Sequence, residues 1–230
     1  MAPSAAYDDI ADWYETEFLG GLNSEDPLEL RRLLRELLGT GTGRCLEIGC
    51  GTGIHATQLR ELGWSPVGVD ISGAMLRHAR DRIPAAQGDA ALLPIRDGSM
   101  AAVVAVMVHT DMPAYPAVLR EVARVLRPGG VFVHLGVHPC FCGGFADRGD
   151  PEAIVIRPGY LDGHWTKSSW STEGVRARVG AAHWPLPELL GGFLDAGLQF
   201  ERFDEGGAPI PIVFAVKARR VSRGGPTSAR

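Results

Sequence analysis

Apolar and polar positions alternate along this chain in a way that predicts strands and helices in turn from residue 44 to residue 137. Short runs rich in valine, isoleucine and alanine are apolar on both faces, which is typical of strands buried in a parallel sheet. Between these runs, apolar side chains recur every three or four residues, as on one face of a helix. The alternation predicts an α/β fold with a doubly wound, mostly parallel sheet.

Seven strands are predicted, at residues 44–48, 66–70, 85–87, 101–108, 131–137, 198–203 and 210–218. No helix separates the last two, so we expect a hairpin whose final strand runs antiparallel in this Rossmann-like sheet. Helices are predicted at residues 5–19, 27–38, 53–62, 72–82, 113–126 and 186–196. The first two of these precede the sheet as N-terminal helices.

Residues 138–184 interrupt the alternation, since they are rich in Gly, Pro, His and Trp and show weak periodicity. A structureless loop of that length is unusual in a compact domain unless it is functional. We therefore expect an insertion after the fifth strand that folds over the active site as a substrate cap. It belongs to a single domain over residues 1–218, and the polar residues 219–230 are predicted to form a disordered tail.

A turn with three alternating glycines, Gly49, Gly51 and Gly53, follows the first strand. Glycine lets a ligand approach the main chain closely, although a tight turn that binds no ligand is the alternative. Dinucleotide sites use GxGxxG beneath a pyrophosphate, whereas this pattern is ExGxGxG. The carboxylate of Glu47 would repel a pyrophosphate but would accept hydrogen bonds from a cationic ligand. Asp70 ends the second strand, where a carboxylate accepts both hydroxyls of a ribose.

Four segments together resemble the class I S-adenosylmethionine-dependent methyltransferases, and most of all their small-molecule branch, often called type 11. They are LEIGCGTG at 46–53, VGVD at 67–70, GDA at 88–90 and VLRPGG at 125–130, in the family's order and spacing. The resemblance covers about residues 5–218. It implies an enzyme that uses S-adenosyl-L-methionine as methyl donor and releases S-adenosyl-L-homocysteine.

The resemblance also implies roles for single residues. Glu47 and the three glycines match the loop under the cofactor's amino-acid moiety, and Asp70 matches the acceptor of the ribose hydroxyls. The other matching positions are Ile71, Met75, Asp89 and Ala90 near the adenine, Met107 beside the sulfonium and Tyr14 in the helix that closes over the cofactor. Tyr14 and Met75 are equally consistent with ordinary core residues.

Histidine is the residue type that best suits a base for the methyl acceptor. The sulfonium methyl is already activated, so transfer needs a nucleophile held in line, and a base assists a hydroxyl or protonated amine. His109 and His138 follow the fourth and fifth strands at the edge where ligands bind, and Asp111 stands where it could orient His109. His183 matches a histidine common before the penultimate helix of this branch. A structural role is the alternative for each, and many members of the fold use no dedicated base.

A zinc site is a weaker interpretation of four residues, His134, His138, Cys140 and Cys142. Their HxxxHxCxC pattern contains zinc-ligand types but lacks the CxxC spacing of a zinc knuckle, so we expect free thiols and no metal. The insertion is rich in aromatic residues, namely Phe141, Phe145, Tyr160, Trp165, Trp170 and Trp184. They fit a pocket for an apolar or aromatic acceptor, or a lid that packs on the domain.

Charge and hydropathy limit the kinds of partner that this chain is expected to bind. The net charge is −4, so no bulk basic field attracts nucleic acid. The longest apolar run, residues 101–108, is far shorter than the roughly 20 residues that cross a bilayer. We expect a cytoplasmic monomer or homodimer with neither nucleic acid nor membrane as partner.

The predicted function is methyl transfer to an oxygen or nitrogen of a small organic molecule. The alternatives are an RNA or protein methyltransferase and a non-methylating protein that binds the same cofactor.

Overall fold

The computed structural model describes residues 5–21, 26–150, 152–168 and 174–221, and it confirms the α/β fold class. The described strands are β1 Arg44–Ile48, β2 Ser65–Asp70, β3 Ala85–Gln87, β4 Met100–Val106, β5 Leu126–Val137, β6 Ala146–Asp150, β7 Ala153–Ile156, β8 Leu198–Gly206 and β9 Val213–Arg220. Trp170 and residues 222–230 of the predicted tail lie outside the described residues.

Seven of these strands form one sheet in the order β3-β2-β1-β4-β5-β9-β8. β1 to β5 pair in parallel, and β9 runs antiparallel to both β5 and β8, which confirms the predicted antiparallel last strand. β2 lies on one side of β1 and β4 on the other, so the strand order reverses between β1 and β4. Open α/β sheets bind ligands at the carboxyl ends of the strands beside such a reversal.

The described α-helices are mostly shorter than the sequence predicts. They are α1 Ala11–Trp13, α2 Leu19–Gly21, α3 Leu30–Leu38, α4 Ala56–Glu61, α5 Gly73–Ala79, α6 Tyr115–Val125, α7 Val175–Val179 and α8 Leu186–Asp195. A π-helical turn, Tyr14–Phe18, joins α1 to α2, and a 3₁₀ turn, His109–Asp111, follows β4.

Two apolar layers enclose the sheet, one on each face. On one face, Leu37 of α3 and Leu59 of α4 belong to the same buried cluster as Val104 of β4. On the other face, Leu119 of α6 and Phe193 of α8 pack in a second cluster. Burying each such side chain contributes about 1.5–3 kcal/mol of stability.

Several element boundaries differ from the predicted ones for local reasons. α3 begins at Leu30 rather than at Pro27, because Glu29 has a φ of 56°, which lies outside helical geometry. The Asp26 carboxylate accepts the free Leu30 N–H at 2.8 Å. β5 begins at Leu126, so residues 127–130, which lie between the predicted helix 113–126 and the predicted strand 131–137, belong to the strand. β9 extends to Arg220, so the start of the predicted tail is ordered.

The insertion has regular structure of its own. β6 and β7 form a separate antiparallel hairpin, and α7 follows them. All four cysteines are free thiols, as predicted.

The described part of the chain contains no group of three or more His, Cys, Asp or Glu side chains arranged to hold a metal ion. Within it, no helix has the length and apolar character that a membrane crossing requires.

Candidate active site

The glycine loop turns the chain sharply at the carboxyl end of β1. Gly49, Gly51 and Gly53 have φ values of 62°, 51° and 75°, in the left-handed region that favours glycine. A Cβ atom on Gly49 would lie 2.8 Å from Cγ1 of Val108. The loop therefore lies directly against the turn that follows β4 at Gly49, whereas a Cβ atom on Gly51 would meet Met75 and one on Gly53 would meet Ile83.

Asp70 lies beside this loop at the end of β2. Its Oδ2 accepts the Gly51 N–H at 2.7 Å, and its Oδ1 accepts the Ser72 N–H at 2.8 Å. Burial raises the pKa of Asp70, and the two backbone hydrogen bonds oppose that rise. Each carboxylate oxygen has a second lone pair beyond these bonds, which is what acceptance of two ribose hydroxyls requires.

Glu47 is a buried acid in β1 with only 1% of its surface exposed. Its Oε1 lies 2.7 Å from Nδ1 of His55. Its Oε2 has no hydrogen-bond partner among the described residues. A buried carboxylate oxygen left without a partner is costly, so the site favours a ligand that brings a hydrogen-bond donor to Glu47.

The N-terminal segment, residues 5–21, lies over this edge. Tyr14 packs with Ala74 and Met75 of α5. Burial, followed by the negative charges of Asp111, Asp70, Glu15 and Glu47, raises the pKa of Tyr14 to about 12. Tyr14 is therefore close to the acids at the ends of β1 and β2.

Asp8 fastens the same segment to the start of α5. Its Oδ1 accepts the Ser72 hydroxyl at 2.6 Å and the Ala74 N–H at 3.1 Å. The Ser72 hydroxyl oxygen in turn accepts the Met75 N–H at 3.0 Å and caps the helix. One serine thus joins the N-terminal segment, the helix and the end of β2.

Comparison with known proteins identifies the domain built around these acids. A family model described as a methyltransferase domain (type 11) matches residues 46–134. A probable phthiotriol/phenolphthiotriol dimycocerosates methyltransferase 2 of Mycobacterium ulcerans is 38% identical over 104 residues, which cover 42% of this chain and 40% of that protein. A demethylmenaquinone methyltransferase of Mycolicibacterium paratuberculosis is 37% identical over 105 residues, or 45% of this chain and 46% of that protein. The chain therefore spans less than half the length of these curated relatives.

A solved structure shows the same fold over most of the chain. The S-adenosylmethionine dependent methyltransferase from Mesorhizobium loti superposes with a TM-score of 0.70 and 24% identity, over 85% of this chain and 99% of that one. Residues 46–134 thus match a methyltransferase domain, and the described chain has the fold of S-adenosylmethionine-dependent methyltransferases. S-adenosylmethionine, the cofactor of such enzymes, fits the glycine loop and the Glu47 oxygen that has no partner among the described residues, since it carries an ammonium group and needs close approach to the main chain.

The remaining residues matched to the cofactor lie in different surroundings. Ile71 and Asp89 are exposed, and Asp89 Oδ1 accepts the Ala91 N–H at 2.8 Å. Ala90 is buried in the main core. Met107 has a φ of 57°, unusual for a residue other than glycine, and it packs against the layer that contains α3. Their cofactor roles stay predictions.

The structure places His109 of the methyltransferase domain inside the core. Its ring lies 4.9 Å from the ring of His134 and 5.7 Å from that of Tyr115. Burial lowers its pKa well below the ordinary value. The Tyr115 hydroxyl oxygen lies 2.6 Å from His134 Nδ1, so this cluster ties β4, β5 and α6 together.

His138 uses both of its ring nitrogens in structural contacts. Nδ1 accepts the Cys140 N–H at 3.1 Å, so Nε2 carries the proton and lies 2.9 Å from Oε1 of Glu205. Burial lowers the pKa of His138, and Glu205 opposes that change. A proton acceptor needs a free nitrogen, and neither nitrogen of this ring is free in the structure.

His183 lies in the insertion beside the turn after β4. The neighbouring Ala182 N–H donates to the Thr110 carbonyl oxygen at 2.7 Å. The His183 ring lies 4.8 Å from the ring of Phe145, and its Nε2 has no hydrogen-bond partner among the described residues. The catalytic roles of His109, His138 and His183 stay predictions, and the geometry favours His183.

Two residues that the sequence did not single out meet Asp111 at this edge. The Tyr7 hydroxyl donates to Oδ2 of Asp111 at 3.0 Å, and Arg176 of α7 interacts with the same carboxylate electrostatically. Burial raises the pKa of Asp111 to about 7, although Tyr7 and Arg176 oppose the rise. The sequence suggested Asp111 only as a partner of His109, because no local pattern links it to Tyr7.

Replacing Gly51 by alanine is expected to weaken S-adenosylmethionine binding while costing about 1 kcal/mol of stability, because the new side chain must adopt a positive φ. Gly98→Ala is the matched control: Gly98 has a φ of 63°, and a Cβ there would meet no atom within 4 Å. Urea unfolding should show similar losses for both variants, and calorimetry should show weaker binding only for Gly51→Ala. Equal affinities would contradict a cofactor role for the loop.

Proposed function

We propose that this domain transfers the methyl group of S-adenosylmethionine to a small organic molecule, at an oxygen or nitrogen atom. The observation that supports the proposal is that two segments, the N-terminal segment and the insertion, cover the carboxyl edge of the sheet. The guanidinium carbon of Arg178, in α7, lies 3.8 Å from the ring centroid of Trp13, in the N-terminal segment. Because the insertion and the N-terminal segment meet there, a small acceptor fits this site better than a folded macromolecule.

The cofactor would be held at the reversal of strand order. We assign its amino-acid moiety to Glu47 and the glycine loop, its ribose to Asp70 and its adenine to Ile71, Met75, Asp89 and Ala90. Tyr14 would close over it, and Met107 would border the sulfonium. When bound, the cofactor supplies an activated methyl group, so the chain's own residues have to orient the acceptor and exclude water.

The names of the relatives support a small organic acceptor. They specify phthiotriol or phenolphthiotriol dimycocerosates for one protein and demethylmenaquinone for the other. In this chain, Phe145 and Tyr160 lie at 5.4 Å edge to face, and both lie beside His183. Aromatic walls with one polar group suit an apolar acceptor whose reacting atom must be oriented.

A screen of small acceptors tests the proposal. The protein is incubated with S-adenosylmethionine and a panel of phenols, quinols and amines, and mass spectrometry detects a gain of one methylene. Asp70→Ala serves as the cofactor-deficient control. Labelled methyl that reaches only RNA or protein would favour the macromolecular alternative. Cofactor binding with no transfer to any acceptor would favour a non-methylating protein.

His183→Gln is expected to lower turnover at saturating cofactor by about tenfold, the effect of one lost hydrogen bond to the acceptor. His109→Gln and His138→Gln are the matched comparisons, because one ring lies in the core and the other binds Glu205. Rates are measured on the acceptor found in the screen, and each variant's unfolding is checked in urea. Wild-type rates in all three variants would reject a catalytic histidine.

A further inference from the structure

Asp111 lies on the turn that borders the glycine loop. Its neighbours in sequence, Val108 and Met112, place side-chain atoms 2.8 Å and 3.2 Å from where a Cβ of Gly49 would lie. The turn His109–Asp111 directly follows β4, the strand next to β1 on the far side of the reversal. Asp111 therefore stands at the same edge as the proposed methyl donor, on the side facing the covering segments.

Groups from three other elements face the Asp111 carboxylate. Tyr7 and Tyr14 come from the N-terminal segment, with their rings 6.0 Å apart, Asp70 comes from β2 and Arg176 from α7. Tyr7 donates a hydrogen bond, Arg176 brings a positive charge and Asp70 a negative one. This enclosure partly buries Asp111 and sets the basicity of its carboxylate.

The electrostatic balance suits proton transfer near neutral pH. Burial raises the pKa of Asp111 to about 7, where a base combines a useful fraction of the ionised form with a real affinity for a proton. The neighbouring histidines differ, because burial lowers the pKa values of His109, His134 and His183 and makes them weaker bases.

We propose that Asp111 is the catalytic base for a hydroxyl acceptor and that Tyr7 positions its carboxylate. The inference rests on the proposed function and narrows its acceptor to a neutral alcohol or phenol. The acceptor's O–H bond breaks and its proton passes to Asp111, while the oxygen bonds to the methyl carbon. The carbon–sulfur bond of the methyl donor breaks with its electron pair staying on sulfur. A carboxylate acceptor has no proton to give and would be repelled by Asp111 and Asp70.

The titration of Asp111 is measured by ¹³C NMR on protein labelled at the aspartate carboxyl carbons, in complex with S-adenosylhomocysteine. We expect one carboxyl signal that titrates near pH 7 and disappears in Asp111→Asn. Tyr7→Phe should move that titration to higher pH, because the ionised carboxylate loses a hydrogen bond. Titration of Asp111 near pH 4 would overturn the proposal.

Turnover is then followed with catechol and 1,4-dihydroxynaphthalene as probes, together with any hydroxyl acceptor from the screen. Asp111→Asn should lower kcat by about 10²–10⁴-fold and abolish the fall in rate at acidic pH. Asp111→Glu should recover part of the rate, and Tyr7→Phe should shift the acidic fall to higher pH. Asp195→Asn, an exposed change on α8, is the matched control with wild-type behaviour.

The outcomes separate this inference from the proposed function. Calorimetry with S-adenosylhomocysteine verifies that Asp111→Asn is folded and binds the cofactor product. If the wild type methylates a hydroxyl and Asp111→Asn keeps its rate and pH profile, the base assignment is wrong and the proposed function stands. If the wild type methylates only amines, the hydroxyl assignment is wrong. If it transfers methyl to no acceptor, the proposed function itself fails.

Discussion

Asp70→Ala is expected to weaken the binding of S-adenosylmethionine and S-adenosylhomocysteine about 100-fold. The variant loses the proposed acceptor of two ribose hydroxyls and releases the backbone N–H groups of Gly51 and Ser72, which Asp70 holds at 2.7 and 2.8 Å. Hydrogen bonds to a charged group are worth about 1.5–3 kcal/mol each, and tenfold in affinity corresponds to about 1.4 kcal/mol. Isothermal titration calorimetry with both ligands measures the loss.

Two further variants separate the loss of the ribose contacts from a change in the shape of the glycine loop. Asp70→Asn keeps one oxygen that can accept a hydrogen bond but loses the charge, so an intermediate affinity is expected. Asp195→Ala removes an exposed carboxylate from α8 and should bind like the wild type. Unfolding in urea shows how much of the effect comes from the loop. Unchanged affinity in a folded Asp70→Ala protein would refute the ribose assignment.

Acidification from pH 7 to pH 5 is expected to lower the free energy of unfolding of the wild type by about 2 kcal/mol more than that of His134→Gln. Burial lowers the pKa of His134 to about 3, so the ring stays neutral in the folded protein over this range. In the unfolded chain the same ring takes up a proton near pH 6.5. The unfolded state thus binds more protons as the pH falls, and stability is lost.

A comparison between variants is needed because other groups titrate in the same range. Asp111, whose pKa is raised to about 7, binds its proton first in the folded state and so opposes the loss on acidification. Its contribution is the same in both proteins and cancels in the difference. Urea unfolding at the two pH values gives the change in the free energy of unfolding of each protein, with His164→Gln as a control at an exposed histidine. An equal change for the wild type and His134→Gln would contradict a neutral, buried ring.

The sheet and the glycine loop were predictable because their signals are local. Residues 44–48 and 85–87 match β1 and β3 residue for residue. A strand buried on both faces must be apolar throughout, and a turn with left-handed backbone angles selects glycine. Boundaries set by single residues were less predictable, as at Glu29, whose left-handed backbone delays the start of α3.

The roles of the titratable side chains were not predictable to the same degree. His109 and His138 both follow strands at the ligand edge, yet one ring packs on His134 and the other binds Glu205, which is 67 residues away in sequence. The direction of each side chain depends on which elements pack over it. Periodicity and motif spacing contain no information on that packing.

The chain's own order of residues determined the group of residues to which we assign the methyl donor, because Glu47, the glycines and Asp70 all lie within 24 residues of one another, on two adjacent strands and the turn that follows the first of them. Only the tertiary structure decided the acceptor side. Tyr7 meets Asp111 across 104 residues, and Arg176 reaches the same carboxylate from the insertion. Burial by these distant segments raises the proton affinity of Asp111 and lowers that of the histidines, and burial of this kind exists only once the chain has folded.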